Sequence, residues 1–437
     1  MRRSPLTMTL CLLVGPGLLA GVAGPACAEP WLGQTVWVAP DIYTGATTAA
    51  GETDQAEALF AAARQAAAEG RLSAAFELAS KTLHANPQHE SARTVLGYEL
   101  VDGEWVTPYQ ARQQRRGFRW SPRFGWLAPD EAPRYEAGER RLGRRWMGVD
   151  EDAAAHAAID DGWVVRTDHF AVTTNDSLET GARLAAELEG LFQVWRQWFA
   201  GYWLEEREVR ALFAGDRSAR RRARPMQVFY HRDKAGYVDH LRRRQPRIGE
   251  TLGIYFDDAR EAHFFAPPAG ASAEVTELAQ ATLNHEAAHQ LFAENGGARR
   301  GAGRDANFWL VEGVACYFEM LARAESPAQY TLGHPAQGRL PSAVARGPVL
   351  PLVELAAMGQ SDLQRRDDLA ALYAESAGLV AMLRHGKHAN DDREALVRTL
   401  RAVYGGRPDG GELERQTGRS ADELDRQYRR FLANLSR

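Results

Sequence analysis

His285-Glu286-Ala287-Ala288-His289, with the downstream string Trp309-Leu310-Val311-Glu312-Gly313-Val314-Ala315, sets the reading of the whole chain. On a helix, residues four apart share a face, so His285 and His289 aim their rings at one point, at the spacing a tetrahedral zinc ion takes. Glu286 sits one residue round the helix, where its carboxylate reaches a water at that point without ligating the ion, and it is the candidate general base. The chain holds 12 His and 57 acidic residues in 437, so composition alone yields H-E-x-x-H on the order of 0.02 times, which sets a stray match aside. A helix that merely carries two surface histidines fits poorly too. Ala281, Leu283, Ala287, Ala288, Leu291 and Phe292 make this segment mostly apolar, and buried histidines need partners.

Glu312 is the single carboxylate in the apolar run 309–318. Burying it unpaired costs several kcal/mol, which a metal ion compensates. Gly313 and Ala315 beside it are small and allow this helix to approach the first closely. Two His and one Glu, with a fourth position left for water, is the donor set of a catalytic rather than a structural zinc site.

His285 to His289 together with Trp309-Leu310-Val311-Glu312-Gly313-Val314-Ala315-Cys316-Tyr317-Phe318-Glu319 resembles the gluzincin metallopeptidases, the group of thermolysin and the zinc aminopeptidases, and within it an aminopeptidase-like branch and a set of secreted bacterial proteins. The resemblance covers roughly Trp163 to the C-terminus and is strongest from Thr282 to Glu319. It implies one zinc ion, His285, His289 and Glu312 as its ligands, Glu286 as catalytic base, and a small sheet before the metal helix whose nearest strand, placed at 262–266, offers its edge to an extended peptide. It also implies an oxyanion donor about sixty residues past the glutamate ligand, matched by Tyr373 in Tyr373-Ala374-Glu375-Ser376-Ala377-Gly378; a core tyrosine with its hydroxyl tied to backbone is the alternative. No G-x-M-E-N-type string precedes the helix, which leaves a free-amine-recognising exopeptidase in doubt. Glu319, two helical turns past Glu312, is a candidate to orient a ligand histidine from behind. His231, His263, His334, His385 and His388 have no motif context.

Residues 1–28 read as a signal peptide, with Arg2 and Arg3, an apolar stretch 10–22 and Ala26-Cys27-Ala28 fitting a small-x-small cleavage site. The apolar run is too short and too broken by Gly15, Pro16 and Gly17 for a membrane anchor, and Gly24-Pro25-Ala26 is a poor lipidation context for Cys27. The expected location is periplasmic or secreted. Of three cysteines, Cys11 and Cys27 leave with the leader. That leaves Cys316, a core residue by its neighbours although a thiolate ligand is conceivable, and excludes an internal disulfide. Losing Arg2 and Arg3 takes the formal net charge from -4 to about -6, which gives no global drive toward nucleic acid; the runs 217–224 and 242–244 read as solvated loops.

The expected fold class is α+β. Residues 29–54 form a flexible lead-in, and 55–150 an accessory region. Its apolar helices at 55–69 and 72–84, split by Gly70, resemble one tetratricopeptide-like unit that must dock on neighbouring parts of the chain to bury its face, with 55–100 a candidate protein-partner surface. Scattered Trp, Gly and Arg between 100 and 146 suggest short strands around a small aromatic core, with carbohydrate stacking as the functional alternative. The metallopeptidase domain takes 160–437: a small mixed sheet at 160–267, zinc helices at 274–324 and a helical part at 348–437, its last helix opened by the capping box Ser420-Ala421-Asp422-Glu423. The expected activity is hydrolysis of peptide or protein substrates, endo- or exo-. A non-catalytic zinc-containing binding protein of the cell envelope and a zinc hydrolase of a non-peptide amide are the competing readings.

Overall fold

A computed structural model describes residues 34–39, 42–43, 53–216, 224–324, 329–406 and 409–436; the leader segment 1–28 lies outside them. The centre is a five-stranded mixed sheet of β1 (Trp163–Arg166), β2 (Phe170–Thr174), β3 (Met226–His231), β4 (Gly253–Phe256) and β5 (Glu261–Phe265), in the order β4-β5-β3-β2-β1. The pairs β1/β2 and β4/β5 are antiparallel, while β2/β3 and β3/β5 are parallel. Between β2 and β3 runs α1 (Leu178–Trp198), whose N-cap Ser177 accepts from Thr180 N at 3.1 Å. Its apolar stripe, including Leu184, Leu188, Leu191 and Trp195, joins Val172, Val228 and Phe264 of the sheet in the main core. The other sheet face is covered by Tyr237 and Leu241 of the helix Lys234–Leu241, packed with Ile248, Ile254 and Phe256.

Three helices complete the core. α2 (Ala273–Glu294) carries the H-E-x-x-H string, and α3 (Phe308–Phe318), buried at every residue, carries Glu312. α4 (Leu369–His385) lies against α3. Gly313 sets their separation, since a Cβ there would sit 2.7 Å from the Ser376 carbonyl oxygen. Helices continue to the end of the chain, through α5 (Ala389–Tyr404) to Ala421–Leu435, where the Ser420 hydroxyl accepts from Glu423 N at 3.3 Å.

Three expectations are corrected. The lead-in 29–54 is not wholly irregular: Gln34–Trp37 is a strand, paired antiparallel with Gln329–Leu332, which in turn pairs with Ala322–Arg323. Residues 262–266 do not form a free edge, because β5 is hydrogen-bonded on both sides, to β4 and to β3. The chain doubles back from β4 through 257–260, so β4 becomes the outer strand. The zinc helices, expected over 274–324, end at Phe318, and Ala322–Arg323 is a strand.

The helices Thr53–Ala68 and Leu72–Ala85 form a hairpin that turns at Gly70, where φ is +76°. Phe60, Ala63, Phe76, Ala79 and Leu83 bury against Leu204, Val209, Leu212 and Phe213, so this hairpin docks on the segment just after α1. The Trp-rich segment is a tandem array. Three hairpins, Glu99–Val101/Glu104–Val106, Arg119–Ser121/Gly125–Leu127 and Glu139–Leu142/Arg145–Gly148, are each followed by a short helix, at Pro108–Arg115, Ala132–Glu136 and Val149–Ala155. Trp105, Trp126 and Trp146 occupy the same place in each second strand, followed by the buried Val106, Leu127 and Met147.

Candidate metal centre

The 3.6-residue period of α2 stacks His285 over His289, and the approach of α3 brings Glu312 against both. The two Nε2 atoms are 3.1 Å apart; Glu312 Oε2 lies 3.7 Å from His285 Nε2 and Glu312 Oε1 3.6 Å from His289 Nε2. All three side chains are buried, and these donor atoms lie within 4.8 Å of one another, an arrangement that could hold a metal ion.

Charge and hydrogen bonding point the same way. Burial drives both histidines below the usual imidazole range, His289 well below, so both rings are neutral. Burial pushes the Glu312 carboxyl well up, with the Glu286 carboxylate adding to the rise. Neither Glu312 oxygen has a hydrogen bond of normal geometry, and the neighbouring donor is the Tyr373 hydroxyl. A buried carboxylate facing two neutral imidazoles with so little hydrogen bonding is costly by itself, and a divalent cation would supply the missing positive charge. The residues therefore fit a metal, with N, N, O donors of the kind zinc accepts.

Behind His285 stands a chain of support. Its Nδ1 meets Glu319 Oε1 at 2.9 Å, and Arg339 holds Glu319 through Nε at 2.9 Å and Nη2 at 3.0 Å. Burial pushes the Glu319 carboxyl up, but the Arg339 guanidinium and His285 outweigh it and hold it below the usual range. The carboxylate fixes the proton on Nδ1 and leaves the Nε2 lone pair facing Glu312 and His289. Arg339 is fully charged and only 5 % exposed; sequence reasoning missed it because it lies outside the motif, at the N-cap of the helix Leu340–Arg346.

Glu286 accepts from Tyr255 N of β4 at 2.9 Å through Oε2, while its Oε1 is buried without a partner. Burial pushes its pKa up to about 8, with the Tyr255 N–H acting the other way. Tyr373, on α4, faces Glu312, whose pKa its hydroxyl lowers, and its ring lies 5.5 Å from the Arg339 guanidinium. Cys316 is near His285 and Glu319, but burial raises its thiol well above the ordinary value, so it stays protonated. Tyr317 is committed to His385 Nε2, and His334 caps a loop by accepting from Ala336 N at 3.2 Å.

Beside His289 opens a cavity of about 30 Å³ whose lining includes Tyr255, Asp257, Arg299, Val311 and Tyr404. The Tyr404 hydroxyl is buried without a partner, and that of Tyr255 lies by Glu294. Both tyrosines escaped sequence reasoning, which looked for a donor at one fixed distance beyond Glu312; Tyr404 lies a further helix along, on α5.

Residues 279–342, from the middle of α2 through Arg339, match the family described as a protein of unknown function (DUF1570). No curated protein matches the chain. The matched stretch contains His285, Glu286, His289, Glu312, Glu319 and Arg339, so it coincides with the group that could hold a metal ion and its support. Among the described residues no helix is long and apolar enough to cross a membrane.

Proposed function

We propose that the chain is a zinc-dependent peptidase of gluzincin type, exported to the periplasm or beyond, in which α2 and α3 form the zincin core and the N-terminal hairpin is a tetratricopeptide-like accessory. The observation that carries this reading is the buried Glu312 carboxyl set against the Nε2 atoms of His285 and His289, with a carboxylate oxygen of Glu286 that has no partner one residue round the helix from His285.

His285, His289 and Glu312 would hold the ion, and a zinc ion bound there lowers the pKa of water and polarises a carbonyl. Glu286 takes the proton from the attacking water and passes it to the leaving amine. Its depth in the protein makes it a stronger base than an exposed carboxylate, and the Tyr255 N–H fixes its orientation. Glu319 and Arg339 keep His285 in one tautomer. Tyr373 donates to the oxyanion as the carbonyl becomes tetrahedral. β4 has one edge unpaired in the sheet and runs beside Glu286, so a substrate strand laid along it would present its carbonyl to the site.

The test is metal analysis and a peptide-library digest on the purified chain lacking residues 1–28. Wild type should carry about one equivalent of zinc, and His289→Ala should lose it. Glu286→Gln should keep the metal while cleavage falls by roughly 10²–10⁴. Full zinc in His289→Ala, or unchanged cleavage in Glu286→Gln, would sink the assignment. Zinc retention with no cleavage by wild type would move the weight to a non-catalytic binding protein.

A further inference from the structure

A second cleft, of about 390 Å³, lies between the hairpin array and β1. Its strand, β1, is the outermost of the sheet on that side. The β1/β2 turn closes with Thr167 N donating to Phe170 O at 2.9 Å. Alternation along an antiparallel pair then turns the N–H and C=O of Val165 toward β2 and those of Val164 and Arg166 outward. The Tyr109 hydroxyl confirms the direction by donating to the Arg166 carbonyl at 3.4 Å. Val164 is 44 % exposed. An outward-facing edge with exposed side chains is a template for another extended chain.

The cleft is also charged. Most arginines of the array are spent in ion pairs, such as Arg134 with Glu139 at 2.6 Å, Arg140 with Glu179 at 2.6 Å and Arg145 with Glu151 at 2.5 Å. Arg116 and Arg166, both exposed, line the cleft, and among the described residues no carboxylate is within ion-pair distance of either. Half-buried Phe118, Trp126 and Trp163 line it too, and Trp126 Nε1 is a buried donor with no partner. Asp152, the carboxylate in the lining, is already taken up by Trp163 Nε1 at 2.8 Å.

We propose that this cleft binds an extended acidic peptide segment, which adds as a strand to the outer edge of β1, with its carboxylates on Arg116 and Arg166 and its apolar side chains against the aromatic rings. Strand addition supplies affinity through backbone hydrogen bonds and specificity through alternate side chains. Two guanidiniums on a chain of net negative charge make a poor track for a phosphate backbone, and the outward N–H and C=O of Val164 with the outward N–H of Arg166, whose carbonyl accepts from Tyr109, match a peptide better than a sugar. The site is separate from the metal centre and stands whether or not that centre hydrolyses anything.

The experiment titrates the chain lacking residues 1–28 with a fluorescent heptapeptide in which Glu alternates with Val, while mass spectrometry checks that the peptide stays whole. Cleavage is thereby read apart from binding. Replacing Glu by Gln in the peptide, or Arg116→Ala or Arg166→Ala in the protein, should weaken binding by about tenfold each. N-methylation of alternate peptide amides should abolish it. Arg116→Glu with Arg166→Glu should reject the acidic peptide and take up its Lys counterpart, which a misfolded variant cannot do. The proposal is overturned if wild type ignores the acidic peptide, if the N-methylated peptide binds equally, or if binding needs neither arginine. Displacement of the peptide by a neutral or uronic trisaccharide at lower concentration would make the cleft a sugar site instead.

Discussion

A single buried guanidinium organises the candidate metal centre from outside the motif. Arg339 neutralises Glu319, Glu319 fixes the proton on His285, and His285 is thereby left with its lone pair toward Glu312. Cutting this chain at Glu319→Gln should weaken zinc by roughly 10–100-fold, readable by competition with a chromogenic chelator; unchanged affinity would reduce the pair to a structural ion bridge. Catalytic assistance is a separate question at this scale. Tyr373→Phe should lower turnover by roughly 10²–10³ with little change in KM, as expected for a donor used only in the transition state. If Tyr373→Phe turns over normally and Tyr404→Phe does not, the donor is the phenol that lines the small cavity beside His289.

Among elements, the α3–α4 contact is a tight constraint at the candidate site. A methyl at position 313 would meet the Ser376 carbonyl oxygen at 2.7 Å and Val380 Cγ2 at 3.1 Å. Both neighbours sit on a buried helix that cannot step aside freely. Gly313→Ala should therefore cost about 1–3 kcal/mol of stability despite its better helix propensity, measured by urea unfolding; a neutral or stabilising effect would mean that the helices slide easily. Gly313 was legible in the sequence as a small neighbour of Glu312, as were α1, α2, α3 and the strands, because their hydrophobic periods and caps are local. Register and pairing were not. Nothing local at 253–265 says that β4 rather than β5 ends the sheet, and Gln34–Trp37 becomes a strand only through Gln329–Leu332, far along the chain. The tandem array was legible and overlooked. Trp105, Trp126 and Trp146 recur at near-constant spacing, each followed by an apolar and then a small residue, but the repeat is too short to stand out against scattered turns.

At the scale of the molecule, the metal should act as a clamp. α2 and α3 both belong to the main core, and without an ion the buried Glu312 carboxylate is a liability in the folded state alone. Zinc at a hundredfold excess over its Kd should add about 2.7 kcal/mol to unfolding. Calorimetry should show a thermal midpoint that climbs with free zinc in wild type and is flat in His289→Ala. A wild-type midpoint indifferent to zinc would place the ion elsewhere or nowhere. The hairpin array has a different kind of consequence. Each unit is a hairpin followed by a short helix and, among the described residues, none of its strands pairs with a strand of another unit or of the central sheet, so the loss or duplication of a whole unit would break no strand register elsewhere. The metal centre sits in a core with no such seams. The hairpin array is therefore free to change in length by copying while the buried constellation around Glu312 stays fixed.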